Sequence, residues 1–184
     1  MTLNMQTSGE KKDYSISMLK AQTASLPFGL FAVAEVVLFG AVWGLERIKG
    51  AADILLPWYF LPIFFAGIVL HELIHGVTWK FASGTSFANI RFGFQWKTVT
   101  PYAHCTVPMP KRAYVAGALM PALLLGFAPF GVSMATGDGM TMIFGVLFTA
   151  AAVGDFLIVW LIRSVPWHVP VEDHPTNAGC YAYE

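Results

Sequence analysis

Two histidines four residues apart, with a glutamate directly after the first, form the segment His71-Glu72-Leu73-Ile74-His75. On a helix, residues i and i+4 project from one face about 6 Å apart, so both imidazoles can reach a single Zn²⁺. Glu72 stands one residue further on and does not ligate in this arrangement. It is placed to take a proton from a zinc-bound water, whose pKa the metal lowers to about 7. The pattern is short, and in a soluble helix it arises readily by accident. Here it lies in "GIVLHELIHGVTWK", Gly67 to Lys80, among some of the most apolar residues of the chain. An ionisable group at membrane depth costs roughly 2.5 to 3.5 kcal/mol on insertion scales when charged, unless it faces a partner or a cavity. A metal provides such a partner. The plain alternative is a helix end where the polar groups reach water, since His75 is close to Lys80.

A catalytic zinc takes three protein ligands and keeps one position open for water. The remaining histidines are His104, His168 and His174, and Asp155 is the carboxylate inside a late apolar segment, "TAAAVGDFLIVWLIR". Choosing among them requires the elements that carry them.

The chain has 184 residues, of which 56% are hydrophobic and 12% charged, and its mean hydropathy is +0.59. A soluble domain carries about 25% charged residues, so the expected fold is an all-α integral membrane protein with about four transmembrane helices. Spans are expected at about 26–45, 54–79, 113–135 and 140–162, in a single membrane domain over 1–184. Pro121 and Pro129 fall inside the third span, where neighbouring helices can satisfy the backbone groups that proline frees. The first 25 residues are polar and lack the apolar core of a cleavable signal peptide. The formal net charge is +0, which gives no reason to expect a nucleic-acid partner.

Nine of the eleven Lys and Arg residues fall in the N-terminal tail, the loop after the second span and the C-terminal segment, against Arg47 and Lys49 on the other side. The positive-inside rule then puts both tails, 1–25 and 163–184, and the middle loop in the cytoplasm. Cys105 and Cys180 fall on that side, where disulfides are rare. With this orientation His71 and His75 lie about 8 to 14 Å above Lys80, and Asp155 about 12 Å above Arg163, by the helical rise. The matching depth favours Asp155 as the third ligand. Its alternative is a protonated carboxyl that hydrogen-bonds a neighbouring helix. Gly154 suits either, because small residues let helices approach closely.

In the middle loop, Ile90, Phe92, Phe94 and Trp96 alternate with Arg91, Gly93, Gln95 and Lys97. Period-two alternation followed by Thr98 to Val107 predicts a β-hairpin at the cytoplasmic interface. A strand edge beside a zinc site can hold an extended peptide by strand addition. An amphipathic hairpin that only seals the bundle is the alternative. His104 can ligate, donate to an oxyanion or simply face water; Tyr102 is a second candidate donor to a tetrahedral intermediate, and Cys105 is a possible soft ligand or small packing. Glu35, in the middle of the first span, is a functional-site candidate with no assigned role. His168, Glu172, Asp173 and His174 offer donors for a second metal, but the prolines at 166, 170 and 175 predict an extended tail instead.

An HExxH on one membrane helix followed by an aspartate on a later one resembles the site-two class of intramembrane metalloproteases. The compact layout, with HELIHG, "PYAHC" and the late Gly-Asp, more closely resembles the bacterial membrane family described as putative zincin peptidases. That resemblance covers about Pro57 to Tyr181. It implies a zinc-dependent membrane peptidase with His71, His75 and Asp155 as ligands and Glu72 as base. Val153-Gly154-Asp155-Phe156 lacks the asparagine and proline that surround the aspartate in site-two proteases.

The partners expected are membrane lipid and a peptide or membrane-protein substrate. Two other functions fit the same residues: a non-enzymatic metal-binding or transport protein, and a zinc hydrolase acting on a lipid. The first is weakened by the lack of an inverted repeat or paired broken helices.

Overall fold

Among the described residues, four apolar stretches form helices long and apolar enough to cross a membrane, Leu26–Trp43, Phe60–Ser83, Lys111–Thr136 and Gly139–Leu161. The computed structural model describes residues 9–55 and 60–184. After the short α1 (Met18–Ala24), the first stretch is a 3-10 turn followed by α2 (Leu30–Trp43). The polar helix α3 (Leu45–Leu55) takes Ile54 and Leu55, where the second span was expected to begin; residues 56–59 of that expected span lie outside the described residues. The single helix α4 (Phe60–Ser83) carries the HExxH segment and runs past Trp79. Pro62 falls in its first turn, where the missing N–H has no intrahelical partner to lose.

The third stretch is not one regular helix. α5 (Lys111–Pro121) passes into a π-helical segment, Ala122–Phe127, and then α6 (Ala128–Thr136). The fourth is α7 (Gly139–Ala151) and α8 (Val153–Leu161), parted at Ala152. Leu30, Val37, Leu61, Phe65 and Val69 on these helices all stand exposed. Such a surface is compatible with an apolar solvent around these helices.

The chain divides into two compact units. The first comprises residues 1–25, 72–120 and 154–184, and it corrects the all-α expectation. A four-stranded antiparallel sheet, ordered β1-β6-β5-β4, is built from β1 (Lys11–Ile16), β4 (Met109–Pro110), β5 (Pro170–Asp173) and β6 (Ala178–Tyr183). The segments read as polar tails therefore fold together with the end of the middle loop. In β6, Cys180 and Ala182 are buried on one face while their neighbours Tyr181 and Tyr183 are partly exposed. The prolines that argued for an extended tail sit where a sheet tolerates them. Pro170 opens β5, and Pro175 lies in the connection to β6.

The expected hairpin is present as β2 (Ile90–Gln95) paired antiparallel with β3 (Thr100–Cys105), with Ile90 opposite Cys105, Arg91 opposite His104 and Gly93 opposite Tyr102. Trp79, Ile90, Cys105, Tyr114, Val171 and Cys180 form the centre of this unit's core.

The second unit comprises residues 26–71 and 121–153. Glu35 is only 3% exposed there, and Thr149 Oγ1 of α7 donates to its Oε1 at 3.0 Å.

Candidate metal centre

α4 positions the site because its i, i+4 ridge is a row of functional and packing groups: His71, His75 and, one turn further, Trp79. His71 and His75 are both buried. One potential ligand atom each from His71, Glu72 and His75 lies within 4.8 Å of the others, the only such group among the described residues. The spacing of the motif is thus realised on a continuous helix.

His75 is held at both ring nitrogens. Its Nδ1 lies 2.8 Å from the Gly117 carbonyl oxygen of α5, and its Nε2 lies 3.4 Å from Asp155 Oδ1 in the first turn of α8. Trp79 stacks on the imidazole with ring centroids 5.6 Å apart and an interplanar angle of 22°. The indole also stacks on Tyr114 and donates from Nε1 to the Tyr114 carbonyl at 3.2 Å.

The placement of His75 and Asp155 fits two donors to one zinc ion. Two donors bonded at about 2.0 to 2.1 Å with a tetrahedral angle between them stand about 3.3 Å apart, close to the separation of His75 Nε2 and Asp155 Oδ1. A ligating histidine almost always donates its other N–H to a carbonyl or carboxylate, and the Gly117 carbonyl is in that position. The donor set of imidazole and carboxylate is one that zinc takes.

Glu72 lies on the next ridge of α4, one turn before Gly76. A Cβ at Gly76 would meet Phe92 at 2.8 Å and Ile90 at 3.1 Å. β2 therefore packs on the Glu72 side of the helix. Strand alternation sends the neighbours of Ile90 and Phe92 to the opposite face, and with them His104 and Tyr102, the register partners of Arg91 and Gly93. The structure brings the hairpin to the helix but turns these two candidate oxyanion donors away from the face that meets Gly76.

His104 has a different partner. Its Nδ1 lies 3.1 Å from Asp173 Oδ2 of β5, while Asp173 Oδ1 accepts from Tyr114 Oη at 2.8 Å. The Asp173 hydrogen bond holds the His104 imidazole above its usual range, against the opposing effect of burial. Cys105 Sγ donates to the Val107 carbonyl. Burial raises the thiols of Cys105 and Cys180, the latter to about 12, which disfavours the reactive thiolate at both.

The C-terminal donors do not converge. His168 is exposed. Glu172 accepts from Lys11 and Tyr183. His174 Nδ1 accepts the backbone N–H groups of Thr176 and Asn177 at 3.1 and 2.9 Å, closing the turn into β6.

Sequence reasoning passed over Gly117, Trp79 and Tyr114, and read Asp173 only as a possible donor to a second metal. Trp79 was findable, since it continues the His71, His75 ridge. Nothing in the sequence pairs Gly117 with His75.

Comparison with known proteins adds one match: a family model described as "Putative zincin peptidase" covers residues 64–169. No curated protein and no solved structure matches the chain.

Proposed function

Because the chain belongs to the putative zincin peptidase family, we propose that it is a zinc-dependent peptidase cutting peptide bonds in or near the membrane. In this reading His71, His75 and Asp155 hold the metal and Glu72 is the base. The observation that carries it is the posture of His75, with Nδ1 at a backbone carbonyl and Nε2 turned to a carboxylate at ligand-to-ligand distance.

Bound zinc supplies Lewis acidity, activating water near neutral pH and polarising a carbonyl. Glu72 then takes the proton of the attacking water and passes it to the departing amine. Peptide is favoured over lipid as substrate by the hairpin. β2 and β3 pair only with each other among the described residues, and β2 packs on the Glu72 side of α4. A strand edge there can take up an extended chain through main-chain hydrogen bonds.

The sheet also bears on topology. β1 comes from the N-terminal segment, β4 from the middle loop, and β5 and β6 from the C-terminal segment. A sheet cannot be threaded through a bilayer in pieces, so these three segments share one side. The nine cations they carry support a cytoplasmic position for that side in a multi-pass cell-membrane protein, by the positive-inside rule.

The test is cleavage of a membrane-segment peptide library by the purified protein. Cleavage that vanishes with Glu72→Ala and with a zinc chelator is the expected result. Cleavage that survives both, or no cleavage by zinc-loaded wild type, would remove the proposal.

A further inference from the structure

We infer that Pro121 is a positioning residue for His75, acting through the carbonyl of Gly117. This rests on the metal role of His75 proposed above. In a regular α-helix the N–H of residue 121 donates to the carbonyl of residue 117. Proline has no N–H to donate, and Pro121 stands inside the third apolar stretch, at the junction of α5 and the π-helical segment. The acceptor it frees is the one that His75 Nδ1 meets at 2.8 Å.

The chemistry follows from the imidazole. A histidine that donates from Nδ1 carries its lone pair on Nε2, the nitrogen that faces Asp155 Oδ1. The freed carbonyl thus selects both the tautomer and the ring orientation that a metal needs. A carbonyl has two lone pairs, so a second donor at position 121 would compete with His75 rather than exclude it. A graded loss is the expectation.

Gly117 and Trp79 make the approach possible. A Cβ at Gly117 would lie 2.0 Å from Trp79 Nε1. Any side chain at 117 displaces the indole that stacks on His75, and separates α4 from α5 at the hydrogen bond. Pro121 and Gly117 are therefore two halves of one device: one empties the carbonyl, the other lets His75 reach it.

The experiment measures zinc affinity of the detergent-purified full-length protein by competition with a chromophoric chelator. Thermal unfolding of the metal-free protein is followed in parallel. Pro121→Ala and Pro121→Val both restore the N–H. Each should weaken zinc binding roughly tenfold to a hundredfold, the range for partners behind a metal ligand. The unfolding temperature of the Ala variant should hold or rise, because proline is disfavoured inside a helix. A role in helix structure alone would not separate the two readouts in that direction. Wild-type affinity in both variants overturns the inference, as does an Ala variant that loses stability along with affinity. If the wild type binds no zinc, or His75→Ala binds it as tightly, the metal reading itself has failed. Wild type that binds zinc through His75, with Pro121→Ala unchanged, removes only the role of the proline.

Discussion

His75 Nε2 and Asp155 Oδ1 stand 3.4 Å apart, a separation that one zinc can bridge and that a direct hydrogen bond only just spans. Asp155 reaches this place because the fourth apolar stretch breaks at Ala152 and restarts as α8, setting the carboxylate in the new helix's first turn. Negative charge is favoured at such an end.

The pair predicts how the two side chains fail. His75→Ala should abolish stoichiometric zinc. Asp155→Asn keeps the size of the side chain and should weaken zinc by more than the ~10–100-fold typical of groups behind a ligand. Metal analysis after dialysis reads both. An Asp155→Asn protein with wild-type affinity would return Asp155 to the role of a plain hydrogen-bond acceptor for His75.

Glu72 should separate binding from chemistry. Glu72→Gln retains shape and leaves the ligands in place, so zinc content should match wild type. Loss of a general base typically removes about 10²–10⁴-fold in rate, and kcat on a cleaved peptide should fall by that order. A variant that loses zinc in proportion to activity would make Glu72 a ligand.

The motif was legible because helix geometry fixes the relation of i to i+4, and apolar flanks mark a polar group as costly. The hairpin was legible through its period of two. The four-stranded sheet was not, since β1, β4, β5 and β6 are short and the pairing of β1 with β6 joins segments more than 150 residues apart, Lys11 with Tyr183 for example. Their alternation in burial exists only after that pairing is made. The nearness of Asp155 to His75 was reachable by depth arithmetic because both spans have a cation near the same end. The role of the Gly117 carbonyl was out of reach, because a backbone acceptor has no signature in residue type.

His104 and Asp173 predict a pH dependence. Hydrogen-bonded to Asp173, His104 has a folded pKa raised above its ordinary value. A raised pKa means stability fully present below the unfolded value, about 6.5, and lost as pH rises through the folded value. The stabilisation is about 1.5–3 kcal/mol, the range for a hydrogen bond to a charged group. Unfolding temperature followed from pH 5.5 upward should fall in that window, and His104→Gln should flatten the fall. An unchanged profile in the variant would assign the effect elsewhere.

Glu35 and Thr149 give the last prediction, confined to the second unit. Glu35 Oε1 takes the Thr149 hydroxyl at 3.0 Å, whereas its Oε2 is buried with no hydrogen-bond partner among the described residues. Thr149→Val removes that donor and leaves the carboxyl group without a partner among the described residues, which costs about 1–3 kcal/mol or more. Replacing both partners by apolar groups of similar shape, Glu35→Leu with Thr149→Val, should be close to neutral, since neither side is then left unmatched. Denaturant unfolding in detergent across the four members of this cycle measures the coupling. Strict additivity, with the double variant as unstable as the two single losses combined, would show that the hydrogen bond is not what keeps Glu35 in the bundle.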